Sequence, residues 1–545
     1  MKANARFKYF HDMKIRHVDP LLSLKIKRIF SAGNNIFKRS VATTTCNKGG
    51  PQAVPGTSAP SAAVVPTSYG YLSDMVKSIV TKVENPFSYI YGTTKQEPVK
   101  VVPKSEQIQK AAEERISRSE VTARTKTLIA KFSMAETNES KITRIKELSD
   151  HLIAYPPTRV IAAQDPVAVA ELLKLVLTTT HEQLREEARA CLTMIGIQPP
   201  PKSKGISVLS IDGGGTRGMM GLEVLEQLEK ESGKKICELF DMICGVSTGG
   251  IIAALLTVKK FTVKECREMY LEVSKKLFSQ GKFQGSFGLL TQHSYYNTQL
   301  WMNLLKEIIG EDYRLIDASR VMETPRLAII ASVVNLPAIQ PYVFRNYEHP
   351  AGRDSHYPGG AGHYLWTAVQ ASAAAPLYFA EVKLGKLLLQ DGGVFANNPT
   401  AIAMHEAKLL WPDENIHCVV SVGNGRNVSN VEPNPSFQST SFQHKLMRII
   451  DSATDTEGVH MCMHDMLQNN VYYRLNPYMT NTYGLDEIDP ERLEAMKNDA
   501  KLYVRRNAQK ISLAAERLTE KPTLVQAAQR WLDEKKNLHG FYVPS

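Results

Sequence analysis

The stretch "MICGVSTGGIIAA", Met242 to Ala254, places a serine between two glycines, with an apolar run on each side. This G-x-S-x-G pattern is typical of a nucleophile elbow, in which a serine stands on a tight turn between a strand and a helix. Gly245 and Gly249 suit such a turn because they have no side chains that would clash there. Ser247 is therefore a candidate nucleophile, although a serine hydroxyl needs a partner that takes its proton.

A glycine loop, "DGGGTRG", lies upstream of the serine, between the apolar run "GISVLSI" and the helical pattern "MMGLEVLEQLEKES". Its G-x-G-x-x-G spacing fits a dinucleotide-binding turn, so nucleotide binding is one reading of this segment. A dinucleotide-binding fold also requires an acidic residue at the end of its second strand, where this chain has Ser247 instead. In the other reading, backbone N–H groups of the loop stabilise the oxyanion of an acyl transfer.

The residues that this second reading assigns fall into two groups. The oxyanion donors are Gly213, Gly214 and Gly215. The supporting residues of the loop and of the serine turn are Asp212, Arg217, Gly218, Gly245 and Gly249, with Arg217 expected to be structural.

Apolar strand patterns alternate with helical patterns from about residue 205 onward. One strand is predicted directly before the glycine loop and another directly before Ser247. The patterns predict further strands at "PRLAIIASVVN", "KLLLQDGG" and "IHCVVSVGNG". This alternation predicts an α/β fold, a layered sheet covered by helices on both faces.

The partner of Ser247 is not settled by residue patterns alone. Histidines follow the serine, so composition allows a Ser-Asp-His triad. Among them are His405, His417, His444, His460 and His464, and none of these five stands in a glycine-framed loop after a strand. Asp391 does, at the end of "LLLQD" and before Gly392 and Gly393. An aspartate at the carboxyl end of such a strand lies where α/β sites form, although a plain turn aspartate is the simpler interpretation.

Four segments in this order, "DGGGTRG", "GVSTGG", "ASAAAPLYF" and "DGGVFANNP", resemble the patatin-like phospholipase family. The resemblance runs from about residue 205 to about 470. It implies a Ser-Asp dyad without histidine, with Ser247 as nucleophile, Asp391 as base and acid, and Gly213 to Gly215 as oxyanion hole. It further implies hydrolysis of glycerophospholipid acyl esters without calcium or another cofactor. Apolar residues near the motifs are candidates for an acyl groove, although packing in the core is their default role: Met219, Met220, Leu377, Tyr378 and Phe379.

The chain before the glycine loop has a different texture. Helical patterns between Ser117 and Leu192 resemble armadillo-type hairpins, and residues 71–83 carry an apolar stripe typical of a short amphipathic helix. We predict five segments: a basic N-terminus at 1–45, a linker with the short helix at 46–110, an armadillo-like helical region at 111–198, the catalytic domain at 205–475 and a helical extension at 476–545.

The positive charge of the chain is concentrated at its N-terminus. The net charge is +11, and residues 1–110, with 17 Lys and Arg against 6 Asp and Glu, carry all of it. The body therefore lacks the excess charge of a nucleic-acid-binding surface. Residues 1–45 fit a mitochondrial transit peptide, and seven scattered cysteines favour a reducing compartment, so we expect a mitochondrial or intracellular-membrane enzyme that is not secreted. Expected partners are a phospholipid membrane surface and a protein on the helical region; no metal-ligand spacing is seen.

Overall fold

In the computed structural model of the chain, residues 117–279, 296–427 and 456–538 are described. The predicted transit peptide, the linker and the amphipathic helix at 71–83 lie outside these residues. Among the described residues, no helix is both long enough and apolar enough to cross a lipid bilayer.

Five helices precede the sheet, which confirms the predicted helical region. The first begins after Ser117, which forms a capping box with Glu120, and the fourth begins after Asp165, whose carboxylate accepts two N–H groups of the first turn. Phe132, Ile145 and their apolar neighbours form a hydrophobic core that belongs to this region. The helices are α1 Arg118–Ser133, α2 Asn138–Ala154, α3 Arg159–Ala163, α4 Pro166–Thr178 and α5 Glu182–Met194.

Nine of the described strands form one mixed sheet. Its central order is β10-β8-β1-β2-β3-β4-β5, with β7 also paired to β3 and β6 paired to β7; β11 and β9 form a separate pair. The strands are β1 Ile206–Ile211, β2 Met242–Val246, β3 Arg326–Val333, β4 Gln340–Arg345, β5 Gly359–Gly360, β6 Val382–Leu384, β7 Leu387–Asp391, β8 Ile416–Val422, β9 Arg426–Asn427, β10 Tyr472–Leu475 and β11 Tyr478–Met479.

Helices cover both faces of this sheet, as predicted. Along β1, Leu209 and Ile211 contribute to the hydrophobic cluster on one face and Val208 to the cluster on the other. The helices are α6 Gly218–Ser232, α7 Ile236–Leu239, α8 Thr248–Val258, α9 Val263–Phe278, α10 Thr298–Ile309, α11 Leu365–Ser372, α12 Gly393–Ala396, α13 Thr400–Leu410, α14 Thr456–Met466, α15 Pro490–Arg506, α16 Ala508–Thr519 and α17 Leu524–Leu538. Short 3-10 helices lie at Pro156–Thr158, Gly215–Arg217 and Leu315–Arg320.

Two strands share one edge of β3 and meet end to end there. β2 runs parallel to β3 and pairs with it up to Val246, which lies opposite Ile330. β7 runs antiparallel to β3 and pairs with its last three residues, so that Asp391 lies opposite Ala331. The other edge of β3 is occupied by β4. The carboxyl ends of β2 and β7 therefore face each other at neighbouring positions of the same strand.

Candidate active site

Ser247 stands on the turn between β2 and α8, as the motif predicts. Its backbone has φ 55° and ψ −124°, a conformation that non-glycine residues rarely adopt and that is typical of a strained nucleophile turn. The turn is closely packed: a Cβ on Gly245 would come within 2.2 Å of the Gly249 carbonyl oxygen, and a Cβ on Gly249 within 2.2 Å of the Ile211 carbonyl oxygen. Both glycines are therefore required by the turn itself.

Ser372, the last residue of α11, holds the serine turn in place. The Ser247 N–H donates to the Ser372 hydroxyl at 2.9 Å, and that hydroxyl donates to the Ile330 carbonyl oxygen of β3 at 2.6 Å. The strained peptide thus has a fixed partner that is itself tied to the sheet. Sequence reasoning gave Ser372 no role, although a single serine within the otherwise apolar run "ASAAAPLYF" was a signal that could have drawn attention to it.

Asp391 reaches Ser247 because β7 ends where β2 ends. Its Oδ2 accepts the Ser247 hydroxyl at 2.6 Å, and its Oδ1 accepts the Gly393 N–H at 2.7 Å. Asp391 is only 6% exposed, and burial raises its pKa from 3.8 to about 6, while the two hydrogen bonds lower it. The aspartate therefore makes both the turn contact expected of an Asp-Gly-Gly sequence and a direct contact with the serine hydroxyl.

Asp391 lies at the carboxyl end of a strand, as predicted, but this strand is not one of the parallel strands of the sheet. β7 is antiparallel to β3, so its end does not belong to the edge formed by the parallel strands. Asp391 nevertheless lies beside Ser247, because β7 pairs with the last residues of β3, on the same edge as β2 and beyond the point where β2 ends. Gly392 follows at the crossing with β3, where a Cβ would come within 2.2 Å of the Ile330 carbonyl oxygen.

The glycine loop lies beside the serine, but its three amides are not equivalent. The Gly213 N–H donates to the Asn397 carbonyl oxygen at 3.2 Å, which makes it unsuitable as an oxyanion donor in this geometry. Gly214 and Gly215 line the same cavity as Ser247 and Asp391, and Gly213 does not. Over the described part of the chain, neither of these two amides has a hydrogen-bond acceptor. Of the three predicted donors, only Gly214 and Gly215 therefore line the cavity and have an amide without an acceptor among the described residues.

Buried polar groups support this loop from below. Asp212 receives two hydrogen bonds from the Arg474 guanidinium, at 2.6 and 3.0 Å, and both residues are almost completely buried. The Asn424 side chain donates to the Asp212 carbonyl oxygen at 2.5 Å. Arg217 turns back and donates from Nε to the Gly214 carbonyl oxygen at 3.1 Å, as a structural residue would, and Gly218 begins α6. Sequence reasoning missed Arg474 and Asn424, which are distant along the chain.

An apolar groove extends from the serine between α8, α9, α10 and α11. Tyr378 and Phe379 line it, whereas Leu377 does not, and Met219 and Met220 are buried in the core instead. No histidine of the described ranges lines this groove, and His444 lies outside them. Most of its wall is aliphatic or aromatic: Ile251, Ala254, Leu255, Val258, Met269, Val273, Leu277, Phe278, Trp301, Leu305, Ile308, Ile309, Leu365 and Val369.

Comparisons with known proteins agree with the motifs. Residues 209–404, which include the glycine loop, Ser247 and Asp391, match the family model described as patatin-like phospholipase. The chain is 36% identical over 475 residues to calcium-independent phospholipase A2-gamma of Oryctolagus cuniculus, covering 86% of this chain and 60% of that protein. It is 38% identical over 426 residues to the Homo sapiens protein of the same name, covering 78% and 54%.

A plant protein is also similar. Phospholipase A I of Arabidopsis thaliana is 30% identical over 433 residues, covering 68% of this chain and 32% of that protein. The chain spans 60% or less of the length of each of these three relatives. Residues 209–404 form a patatin-like phospholipase domain, and over most of its length the chain is similar to calcium-independent phospholipase A2-gamma.

Proposed function

We propose that this chain is a calcium-independent lipid acyl hydrolase that cleaves fatty-acyl esters of glycerophospholipids. The observation that carries the proposal is the 2.6 Å hydrogen bond from the Ser247 hydroxyl to Asp391 at the end of an apolar groove. A nucleophile, a base and an apolar cleft are together what hydrolysis of a lipid ester requires. The names of the relatives support the same substrate class and the independence from calcium.

In the first half of the reaction, Ser247 Oγ attacks the ester carbonyl carbon while its proton passes to Asp391 Oδ2. The negative charge that develops on the carbonyl oxygen is stabilised by the amides of Gly214 and Gly215 and by the N-terminal end of α8, which begins next to Ser247. The bond between the carbonyl carbon and the alcohol oxygen of the ester then breaks. Protonated Asp391 gives its proton to this oxygen of the departing lysophospholipid. A fatty-acyl serine remains.

In the second half, Asp391 accepts a proton from a water molecule that attacks the acyl-serine carbonyl carbon. Release of the fatty acid returns the proton to Ser247 Oγ and restores the starting state. A carboxylate is a weaker base than a histidine, but burial raises the pKa of Asp391 to about 6, which brings it closer to the range of a useful general base. Ester leaving groups need less protonation than amines, so this base suits esters.

The direct test incubates the full chain with defined phospholipids in the presence of a calcium chelator and identifies every product. We expect a free fatty acid and a lysophospholipid in equal amounts, with no loss of rate when the chelator is added. Release of phosphate or of the headgroup instead would contradict the proposal, and so would a requirement for calcium.

Nucleotide binding by the glycine loop is the alternative function. Its outer side is already occupied, since the Thr216 N–H donates to the Leu485 carbonyl oxygen at 2.7 Å and a Cβ on Gly215 would come within 2.0 Å of the same oxygen. Nothing in this arrangement favours a pyrophosphate over an oxyanion. Tight binding of a labelled dinucleotide, combined with no esterase activity, would replace the hydrolase proposal by this alternative.

The ionisation of Asp391 predicts how the rate depends on pH. Only the ionised carboxylate can accept the serine proton, and its pKa is about 6. We therefore expect kcat/KM for a water-soluble ester to be constant above about pH 7 and to fall about tenfold per pH unit well below pH 6. Circular dichroism at each pH serves as the control for folding. A midpoint near pH 4 would indicate that Asp391 is not the group that titrates.

The N-terminal segments give a separate prediction about location and membrane binding. We propose that residues 1–45 direct a reporter protein to mitochondria, and that their removal leaves hydrolysis of a dispersed short-chain ester nearly unchanged. Removal of residues 1–110 should in addition weaken binding to anionic vesicles, because it removes the basic charge and the apolar stripe at 71–83. Sedimentation with vesicles at two salt concentrations tests this, since only the part due to charge should fade as salt rises. Equal binding by all three forms would instead assign membrane attachment to the catalytic domain.

A further inference from the structure

The groove has a direction that the helices define. α8 begins beside Ser247 and leads away from it, and its residues Thr248, Ile251, Ala254 and Val258 line the groove at helical spacing. α11 runs the opposite way, from Leu365 to Ser372, and ends at the hydrogen bond to the Ser247 N–H. Val258 and Leu365, which both line the groove, therefore lie at the end that is remote from the serine.

The length of this groove follows from helix geometry. Val258 lies ten positions beyond Thr248, which corresponds to about 15 Å along the axis of α8. An extended alkyl chain advances about 1.3 Å per carbon, since its bonds are about 1.5 Å long and alternate in direction. The groove thus matches roughly twelve carbons between the ester carbonyl and its remote end.

Ala254 is the smallest side chain in the stripe that α8 presents to the groove. It is 3% exposed and lies six residues beyond Thr248, about 9 Å along the helix or roughly seven carbons from the ester. Ile251 and Val258 on either side are larger. A chain that follows α8 must pass this alanine before it reaches Val258, so the size of residue 254 decides how far the chain can extend.

We propose that α8 measures the acyl chain of the substrate, with Ala254 and Val258 as the residues that determine which lengths are accepted. The proposal rests on the proposed function and adds to it a preference for acyl groups of about twelve carbons or more. Each methylene that enters the groove should raise kcat/KM by up to about fourfold, until the groove is full. Beyond that length, further carbons should add little.

The experiment uses the full chain and a series of esters with acyl chains of four to sixteen carbons, each kept below the concentration at which it aggregates. Each rate profile is divided by the rate on the four-carbon ester of the same variant. For the unaltered chain the profile should stop rising near twelve carbons. Ala254→Leu should move this break to about seven carbons and lower the relative rate on longer esters at least tenfold. Val258→Phe should leave the profile unchanged up to about ten carbons and lower it only for longer chains.

The matched control is Ile252→Leu, a volume-conserving change on α8 at a buried position that does not line the groove; its profile should coincide with that of the unaltered chain. The proposal would be overturned if the profiles of Ala254→Leu and Val258→Phe stopped rising at the same chain length. It would also be overturned if both profiles coincided with that of the unaltered chain. If Ala254→Leu does not fold, the position of the break in Val258→Phe decides alone. Absence of hydrolysis of every ester by the unaltered chain would instead overturn the proposed function.

Discussion

Ser247→Ala and Asp391→Asn are each expected to lower kcat/KM for ester substrates by a factor of about 10⁴ or more. In the proposed mechanism the serine provides the attacking oxygen and the aspartate takes its proton, and the 2.6 Å hydrogen bond joins the two side chains. Because such groups act as a unit, the double variant should be no slower than the slower single variant. Rates on one water-soluble ester and one phospholipid, measured for all three variants, check this.

The free energy of unfolding of Asp391→Asn, measured as a function of pH, tests whether this variant folds. We expect it to exceed that of the unaltered chain at neutral and alkaline pH. Burial raises the pKa of Asp391 from 3.8 to about 6, so its ionised form makes the folded state less stable above pH 6. The neutral amide avoids this cost, and the free energy of unfolding at pH 8 should increase by up to about 3 kcal/mol. The gain in stability should shrink as the pH falls through 6 and vanish below 3.8.

An active Asp391→Asn protein would contradict the proposed dyad. A histidine would then have to be sought as the base.

The second large effect is expected at Gly214. A Cβ there would approach the Cβ of Asn424 to 2.9 Å, so Gly214→Ala must shift the loop that carries the two proposed oxyanion donors. We expect kcat to fall by about 10² to 10³, with a much smaller change in KM, because the donors act mainly on the transition state. Steady-state kinetics on a soluble ester measures both constants.

A suitable control glycine lies at the other end of α6. Gly233 also has a positive φ, of 64°, but an added Cβ would meet nothing within 4 Å. Gly233→Ala should cost about 1 kcal/mol of stability and leave kcat unchanged. Gly215→Ala is a poorer probe than Gly214→Ala, since its Cβ would meet the Leu485 carbonyl oxygen at 2.0 Å and disturb the fold as well. Loss of nucleotide binding with hydrolysis intact in Gly214→Ala would favour the alternative function.

Local sequence patterns predicted much of this fold. The strand before the glycine loop, the turn at Ser247 and the helix over Thr248–Val258 are all found where the patterns place them. These elements depend on apolar periodicity and on glycines at tight turns, which are properties of neighbouring residues.

Pairing between distant segments was beyond the reach of these patterns. Nothing near Asp391 indicates that β7 is antiparallel to β3, because strand direction depends on the connection through β6. The contact of Ser247 with Ser372 spans 125 residues, and that of Asp212 with Arg474 spans 262. The Gly213 amide was assigned to the oxyanion hole for the same reason, since its acceptor, Asn397, lies far along the chain.

The shared edge of β3 makes the alignment of Ser247 with Asp391 depend on a hairpin turn. β6 and β7 are joined by only two residues, Gly385 and Lys386, and Gly385 has φ 59°, as tight hairpins require. This turn sets which residue of β7 faces each residue of β3. One inserted residue would slip the strand by one step and send the carboxylate to the opposite face of the sheet. The spacing of Ser247 and Asp391 is thus encoded as a count of residues, and loop length at this hairpin becomes a constraint on evolutionary change.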